Sequence, residues 1–194
     1  MAAFETAFDL TNQNEGGYVF DKDDPGGETY RGIARNFHPN WIGWNLIGTE
    51  KQKGNAGLSG RLDKNNGLQG NVQSFYRTEF WNSIKGDSIT DQLIANKIYD
   101  MAVNMGIKQA SIYLQKSINL LNRNQTQYKD ITVDGAIGPA TLAALKDAVK
   151  LNGNKRVLNV INDYQVKHYI ELMEKNPVNE KYIGWFSRVE IVWD

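Results

Sequence analysis

Apolar residues recur along this chain with changing period, and the changes mark its elements. Phe4, Ala7, Phe8 and Leu10 fall on one face of a helix expected over residues 3–13. Gly16 and Gly17 end that helix and leave Glu15 at its C-terminal edge. Tyr18-Val19-Phe20 predicts a short strand. Asp23-Asp24-Pro25-Gly26-Gly27 predicts a tight turn, because proline fixes φ and glycine admits positive φ. The stretch from Thr29 to Ile33 predicts the return strand of a small β-hairpin. Residues 38–67, rich in Gly, Asn and Trp, read as a long irregular loop with one or two short helical turns, and loops of that length inside a compact domain are often functional.

From about Leu68 onward the helical period persists. Val72, Phe75, Tyr76, Phe80 and Ile84 form one stripe; Ile94, Ile98, Met101, Ala102 and Met105 form a second, with Gly106 as its C-cap. Ile112, Leu114, Ile118 and Leu121 form a third. Pro139 stands at a first helical position, where its missing N–H costs nothing. A long helix over 154–175 and a last one over 180–192 follow, separated by Pro177. There are no internal repeats. The pattern predicts a mainly α fold with a small β-hairpin near the N-terminus.

Composition narrows the function classes. The chain has 194 residues, 41% of them apolar, enough for a buried core. Its 22 basic and 22 acidic residues cancel, so no global field draws it to nucleic acid or to an anionic membrane. It has no cysteine, hence no disulfide framework and no thiolate chemistry. His38 and His168 are far apart and lack metal-ligand spacing. Asp134, in Asp-Gly-Ala-Ile-Gly, lacks the further acidic residues of a calcium loop and reads as a turn and helix cap. No metal or cofactor is expected. No apolar run is long enough for membrane insertion, and the N-terminus lacks the basic and apolar regions of a signal peptide. The expectation is a monomer made in the cytoplasm that reaches any outside substrate by another route, as phage lysins released through a membrane pore and proteins leaving by an unconventional route do.

The chemistry concentrates between Glu15 and Thr29. Glu15 ends a helix, Asp24 lies in the hairpin turn, and Thr29 begins the return strand. A hairpin facing a helix end brings a carboxylic acid, a second carboxylate and a hydroxyl to one cleft. Glycoside hydrolysis needs such a set: one acid protonates the leaving oxygen, and a second carboxylate, or a water it holds, handles the anomeric carbon. A glutamic acid packed against apolar rings such as Tyr18, Phe20 or Tyr30 has its pKa raised, because desolvation disfavours the charged form. Other readings stay open. Asp24 is equally a turn residue and Thr29 equally a strand former. Asp21 and Asp23 are alternative second carboxylates. Trp41 and Trp44 are either a sugar-stacking platform or anchors of the long loop, whereas Trp81 and Trp185 read as core. Asp100 and Asn104, four apart on an apolar helix, read as buried hydrogen-bonding residues.

The segment NEGGYVFDKDDPGGETYRGIA resembles the Glu-Gly-Gly-Tyr signature of glycoside hydrolase family 108. YDMAVNMGIKQASIYLQ and DGAIGPATLAAL resemble the peptidoglycan-binding-type region that accompanies it, and IGWFSRV resembles the family's ending. The likeness covers most of the chain and is weakest over 40–67. It implies a lysozyme-like fold divided into a catalytic region, 1–86, and a helical peptidoglycan-binding-type region, 87–194, packed as one globule. It implies N-acetylmuramidase activity on the β-1,4 bond between N-acetylmuramic acid and N-acetylglucosamine, with the peptidoglycan glycan strand as partner and the cell wall or periplasm as place of action. Motif match puts the general acid on Glu15. The order Glu15, Asp24, Thr29 also resembles the phage-lysozyme triad, although Asp24 and Thr29 are one residue closer than in that pattern. Tyr18, Tyr30, Trp41 and Trp44 are the candidate substrate-binding residues. The alternatives are a lytic transglycosylase and a non-catalytic peptidoglycan-binding or secretion-associated protein, since some members carry the label secretion activator.

Overall fold

The computed structural model describes residues 1–12, 16–21 and 24–190. Its backbone contacts fall into two units, Phe4–Trp81 and Met1–Ala3 together with the chain from Asn82.

The first unit begins with helix α1, Phe4–Asn12, which buries Phe4, Ala7, Thr11 and Asn12. Leu10, expected on the apolar face, is instead exposed, because the last turn of α1 directs Thr11 and Asn12 inward. Strands β1 (Tyr18–Phe20), β2 (Glu28–Tyr30) and β3 (Ile33–Ala34) form an antiparallel sheet in that order. Tyr18 pairs with Tyr30, Val19 with Thr29 and Phe20 with Glu28, while Thr29 also pairs with Ala34. The expected single return strand is thus two strands. Arg31 and Gly32, with φ of 45° and 77°, turn the chain between them.

The region expected to be an irregular loop holds two helices, α2 (Gly43–Gln52) and α3 (Leu58–Asp63). Each buries few apolar side chains, Trp44 and Ile47 from α2 and Leu58 and Leu62 from α3, too few for a helical period to stand out. Gly43 permits a close approach here, since any side chain at that position would run into the Trp41 ring. Helix α4, Asn66–Tyr76, is capped by Asn65, whose side chain accepts the Leu68 N–H at 3.0 Å, and continues into a π-helical turn, Arg77–Trp81.

The second unit is helical. Asp91 caps α5 (Gln92–Met105) by accepting the Ile94 N–H at 2.9 Å. Gly106, at φ 88°, turns the chain into α6 (Ile107–Leu120). Helices α7 (Pro139–Asn152) and α8 (Asn154–Lys175) follow, α7 with its proline in the first turn. Ile94, Ile98, Met101 and Ala102 of α5 are buried with Leu114 and Ile118 of α6, Leu145 and Ala148 of α7, and Val157 and Ile161 of α8. The closing segment, Pro177–Val189, is 3-10 helical on either side of a kink at Tyr182, where a single helix over 180–192 was expected, and Asn176 caps its start through the Val178 N–H.

Buried Gln115 organises the stretch between α6 and α7. Its amide donates to Asp134 Oδ1 (2.7 Å) and to the Ala136 carbonyl (3.0 Å), and its oxygen accepts the Gly135 N–H (2.9 Å). Asp134 also accepts the Ala136 N–H at 2.9 Å. Asp100 accepts from Arg188 (3.0 Å), Gln165 (2.9 Å) and Asn104 (2.9 Å), although Asn104 itself is exposed. The chain therefore adopts the expected mainly α, lysozyme-like fold class with a small antiparallel sheet near the N-terminus. Among the described residues, no helix is long and apolar enough to cross a membrane.

Candidate active site

Glu15 and the alternative carboxylate Asp23 lie outside the described residues. The structure does place the elements that flank Glu15 in the chain, α1 before it and β1 after it. Asp24 opens the turn between β1 and β2. Its carboxylate accepts the Gly26 N–H at 2.6 Å and its carbonyl accepts the Gly27 N–H at 2.8 Å, so the side chain stabilises the turn that carries it. Asp24 is otherwise exposed. Thr29 sits at the centre of β2, half-exposed, on the sheet face opposite Glu28 and Tyr30. The Asp24 carboxylate and the Thr29 hydroxyl converge beside Gly26, lying 3.0 Å and 3.6 Å from where a side-chain carbon on that glycine would stand. The hairpin thus brings together a carboxylate and a hydroxyl five residues apart in the chain. Asp21 is exposed.

The opposite face of β2 carries a charge cluster that the sequence reading missed. Glu28 is buried, at 6% exposure. It accepts from Arg35 Nη1 (2.5 Å), Lys51 Nζ (2.8 Å) and the Tyr18 hydroxyl (2.7 Å). Burial alone would raise its pKa, but the donors Lys51, Arg35 and Tyr18 outweigh burial and hold the carboxyl below the ordinary glutamate range. These bonds tie β1, β2, the segment after β3 and α2 together beneath the face bearing Thr29. The one hint in the sequence is the alternation of β2, which puts Glu28 on the same face as Tyr30. Nothing local names Arg35 and Lys51 as its partners.

The four candidate sugar-contacting rings divide into two pairs. Tyr30 is fully buried, and its hydroxyl accepts from Gln69 at 2.8 Å and lies 3.5 Å from Asp63. Trp44 is also buried, with its indole N–H donating to the His38 carbonyl at 2.8 Å. Both are core anchors and leave no ring face for a sugar, a correction to their reading as substrate contacts. Trp41 and Tyr18 remain half-exposed. Trp41 meets Trp44 edge-on at 5.1 Å and lines an open groove of about 560 Å³ with Phe37, His38, Asn71 and Phe75. Lys51 lies over the Tyr18 ring at 5.5 Å. Among the described residues, Trp81 is fully buried and Trp185 half-buried against Tyr169 and Tyr182.

A second recess opens at the C-terminal end of α1. It measures about 260 Å³ and is lined by Phe8, Asp9, Asn12 and Arg31. Arg31 reaches it from the β2–β3 turn, with Nη2 paired to Asp63 at 3.2 Å. Among the described residues, no three His, Cys, Asp or Glu side chains gather to hold a metal ion.

Comparison with known proteins gives this geometry its context. Residues 8–106 match the family model described as Glycosyl hydrolase 108, and residues 109–190 match one described as Predicted Peptidoglycan domain. Among solved structures the chain is similar to that described as the structure of Brucella abortus SagA, at 26% identity and a TM-score of 0.60, covering 96% of this chain and 88% of that one. No curated protein matches it. The first family match takes in more than half of the chain and runs from α1 through the hairpin to the end of α5, and on that ground the chain belongs to the glycosyl hydrolase 108 family, as a lysozyme-type glycoside hydrolase directed at peptidoglycan.

Proposed function

We propose that the chain is an N-acetylmuramidase, cutting the β-1,4 bond between N-acetylmuramic acid and N-acetylglucosamine with Glu15 as general acid. The observation that carries this reading is the convergence of the Asp24 carboxylate and the Thr29 hydroxyl beside Gly26, on a hairpin whose first strand begins three residues after Glu15. In the reaction Glu15 protonates the leaving glycosidic oxygen, Asp24 is the second carboxylate, and Thr29 positions the water that adds at the anomeric carbon. Tyr18 and Trp41, the two candidate rings with exposed edges, contact the glycan. The protein works as a monomer at the cell wall, after leaving the cytoplasm where it is made.

The experiment compares wild type, Glu15→Gln and Asp24→Asn on isolated peptidoglycan, with soluble products read by mass spectrometry. Expected are muropeptides ending in an intact N-acetylmuramic acid reducing end, released by wild type and lost in folded Glu15→Gln. Undiminished release by Glu15→Gln removes the assignment. The hydrogen bond that engages Asp24 within its own turn favours a second reading, a lytic transglycosylase, which needs one acid and no second carboxylate. That reading is supported if Asp24→Asn stays active and the products are 1,6-anhydro sugars, lighter by one water.

A further inference from the structure

We propose that Arg31 is a substrate-anchoring residue, whose guanidinium takes a neutral acyl oxygen of an N-acetylated glycan in the recess at the end of α1. The proposal rests on the reading above only in taking the glycan strand as substrate.

The first ground is conformational. Arg31 and Gly32 both have positive φ, 45° and 77°, in a two-residue hairpin turn where Asn-Gly is the unstrained choice. Arginine is disfavoured there, because its β-carbon crowds the following carbonyl. Strain of this kind persists where surrounding structure enforces it and tends to mark functional positions. The turn is indeed clamped. The Tyr76 hydroxyl donates to the Arg31 carbonyl at 2.8 Å, and the Arg31 N–H meets the Gly17 carbonyl at 3.4 Å.

The second ground is what the side chain does. Its pair with Asp63 joins two partly exposed groups, and surface pairs of that kind add little stability. The hairpin does not need an arginine for that. The pair does aim the guanidinium. Its Nε–H is buried and has no acceptor among the described residues, so the outward nitrogens of the guanidinium are the ones left to meet a ligand in the recess. The recess it lines is flanked by residues on both sides of Glu15 in sequence: Asn12 shares the lining, and Gly17 bonds to the Arg31 backbone.

The third ground fixes the ligand class. Asp63 neutralises the guanidinium, and Asp9 adds a second negative charge to the lining. A carboxylate is repelled there, whereas an amide carbonyl oxygen accepts the N–H without carrying charge. Phe8 supplies an apolar wall for an acetyl methyl or a sugar face.

The test is steady-state cleavage of soluble glycan strands, with stem peptides present or enzymatically removed, by wild type and Arg31→Asn. Asparagine suits the left-handed turn, so the variant is expected to melt no lower than wild type. KM should rise about tenfold or more on both substrates, the scale of one hydrogen bond to a charged donor, with kcat almost unchanged. An unchanged KM overturns the proposal. So does a KM effect confined to strands carrying stem peptides, which would make the ligand a peptide carboxylate. A lowered melting temperature with kcat and KM falling off together also overturns it, because the role would then be structural. An active Glu15→Gln would remove the muramidase reading while leaving this KM comparison intact.

Discussion

The two units of the molecule solve the problem of buried polar groups differently. In the Phe4–Trp81 unit, the buried polar side chains include two carboxylates, Glu28 and Glu50. Each is held by two cations, Arg35 and Lys51 for Glu28, Lys53 and Arg61 for Glu50. Among the described residues of the unit from Asn82, the fully buried polar ones are uncharged: Ser111, Gln115, Ser117, Asn122, Thr141, Asn162 and Gln165. Element length explains the difference. Strands of two or three residues and a six-residue helix bury few apolar atoms each, so charge-assisted hydrogen bonds must supply the cohesion. Helices of 14 and 22 residues bury whole stripes, and neutral amides suffice to stitch their connections. The unit carrying the candidate chemistry is therefore the one that buries carboxylates fully, whereas the helical unit keeps its Asp100–Arg188 pair half-buried.

Three substitutions sharpen or break this contrast. The largest effect is expected from Ile98→Ala in α5, a fully buried position, at about 3 kcal/mol by denaturant unfolding. Hydrogen exchange should localise the lost protection to the helical unit. Next comes Glu28→Gln, at about 2 kcal/mol, since the amide leaves Lys51 or Arg35 without its anionic acceptor. Its pH dependence is the sharper measurement. The folded pKa of Glu28 lies below its unfolded value, so its stabilisation is fully present above about pH 4.5 and is lost as pH falls through the folded value. Glu28→Gln should flatten that acid limb, with exchange protection lost around the sheet and α2. An unchanged acid limb in the variant would mean that Glu28 is not what makes this unit acid-sensitive. The smallest effect, between about 1 and 2 kcal/mol, is expected from Gln115→Leu, and the part of it that comes from the Gln115 bond holding the Asp134 carboxyl below the ordinary aspartate range is lost as pH falls through the folded value of Asp134. That change strands the Gly135 N–H and the Ala136 carbonyl.

Legibility followed the same division. Helices α5 to α8 were readable because each presents several buried apolar residues at one period, with glycine or proline marking an end. Helices α2 and α3 were not, because what makes them helical is packing of Trp44, Ile47, Leu58 and Leu62 into a core assembled from distant segments. At the site, Asp24 and Thr29 were visible as turn and strand residues next to a recognisable glutamate motif. Tyr30 and Trp44 looked like ring platforms because an aromatic residue in sequence carries no label for the side on which it is buried. Arg31 passed unnoticed, since one residue's positive φ shows only in the folded turn.

The sequence by itself determined the helical half, the position of the hairpin turn and the candidate acid. Those depend on period, on proline and glycine stereochemistry, and on a contiguous motif, all of which are local. The tertiary structure alone decided that Glu28 meets Lys51 from 23 residues away, that Asp24 and Thr29 share the flank of Gly26, and that Arg31 faces Phe8 and Asn12 across a recess. Those contacts arise from closing chain loops around a core, and the free energy that closes them belongs to no single segment.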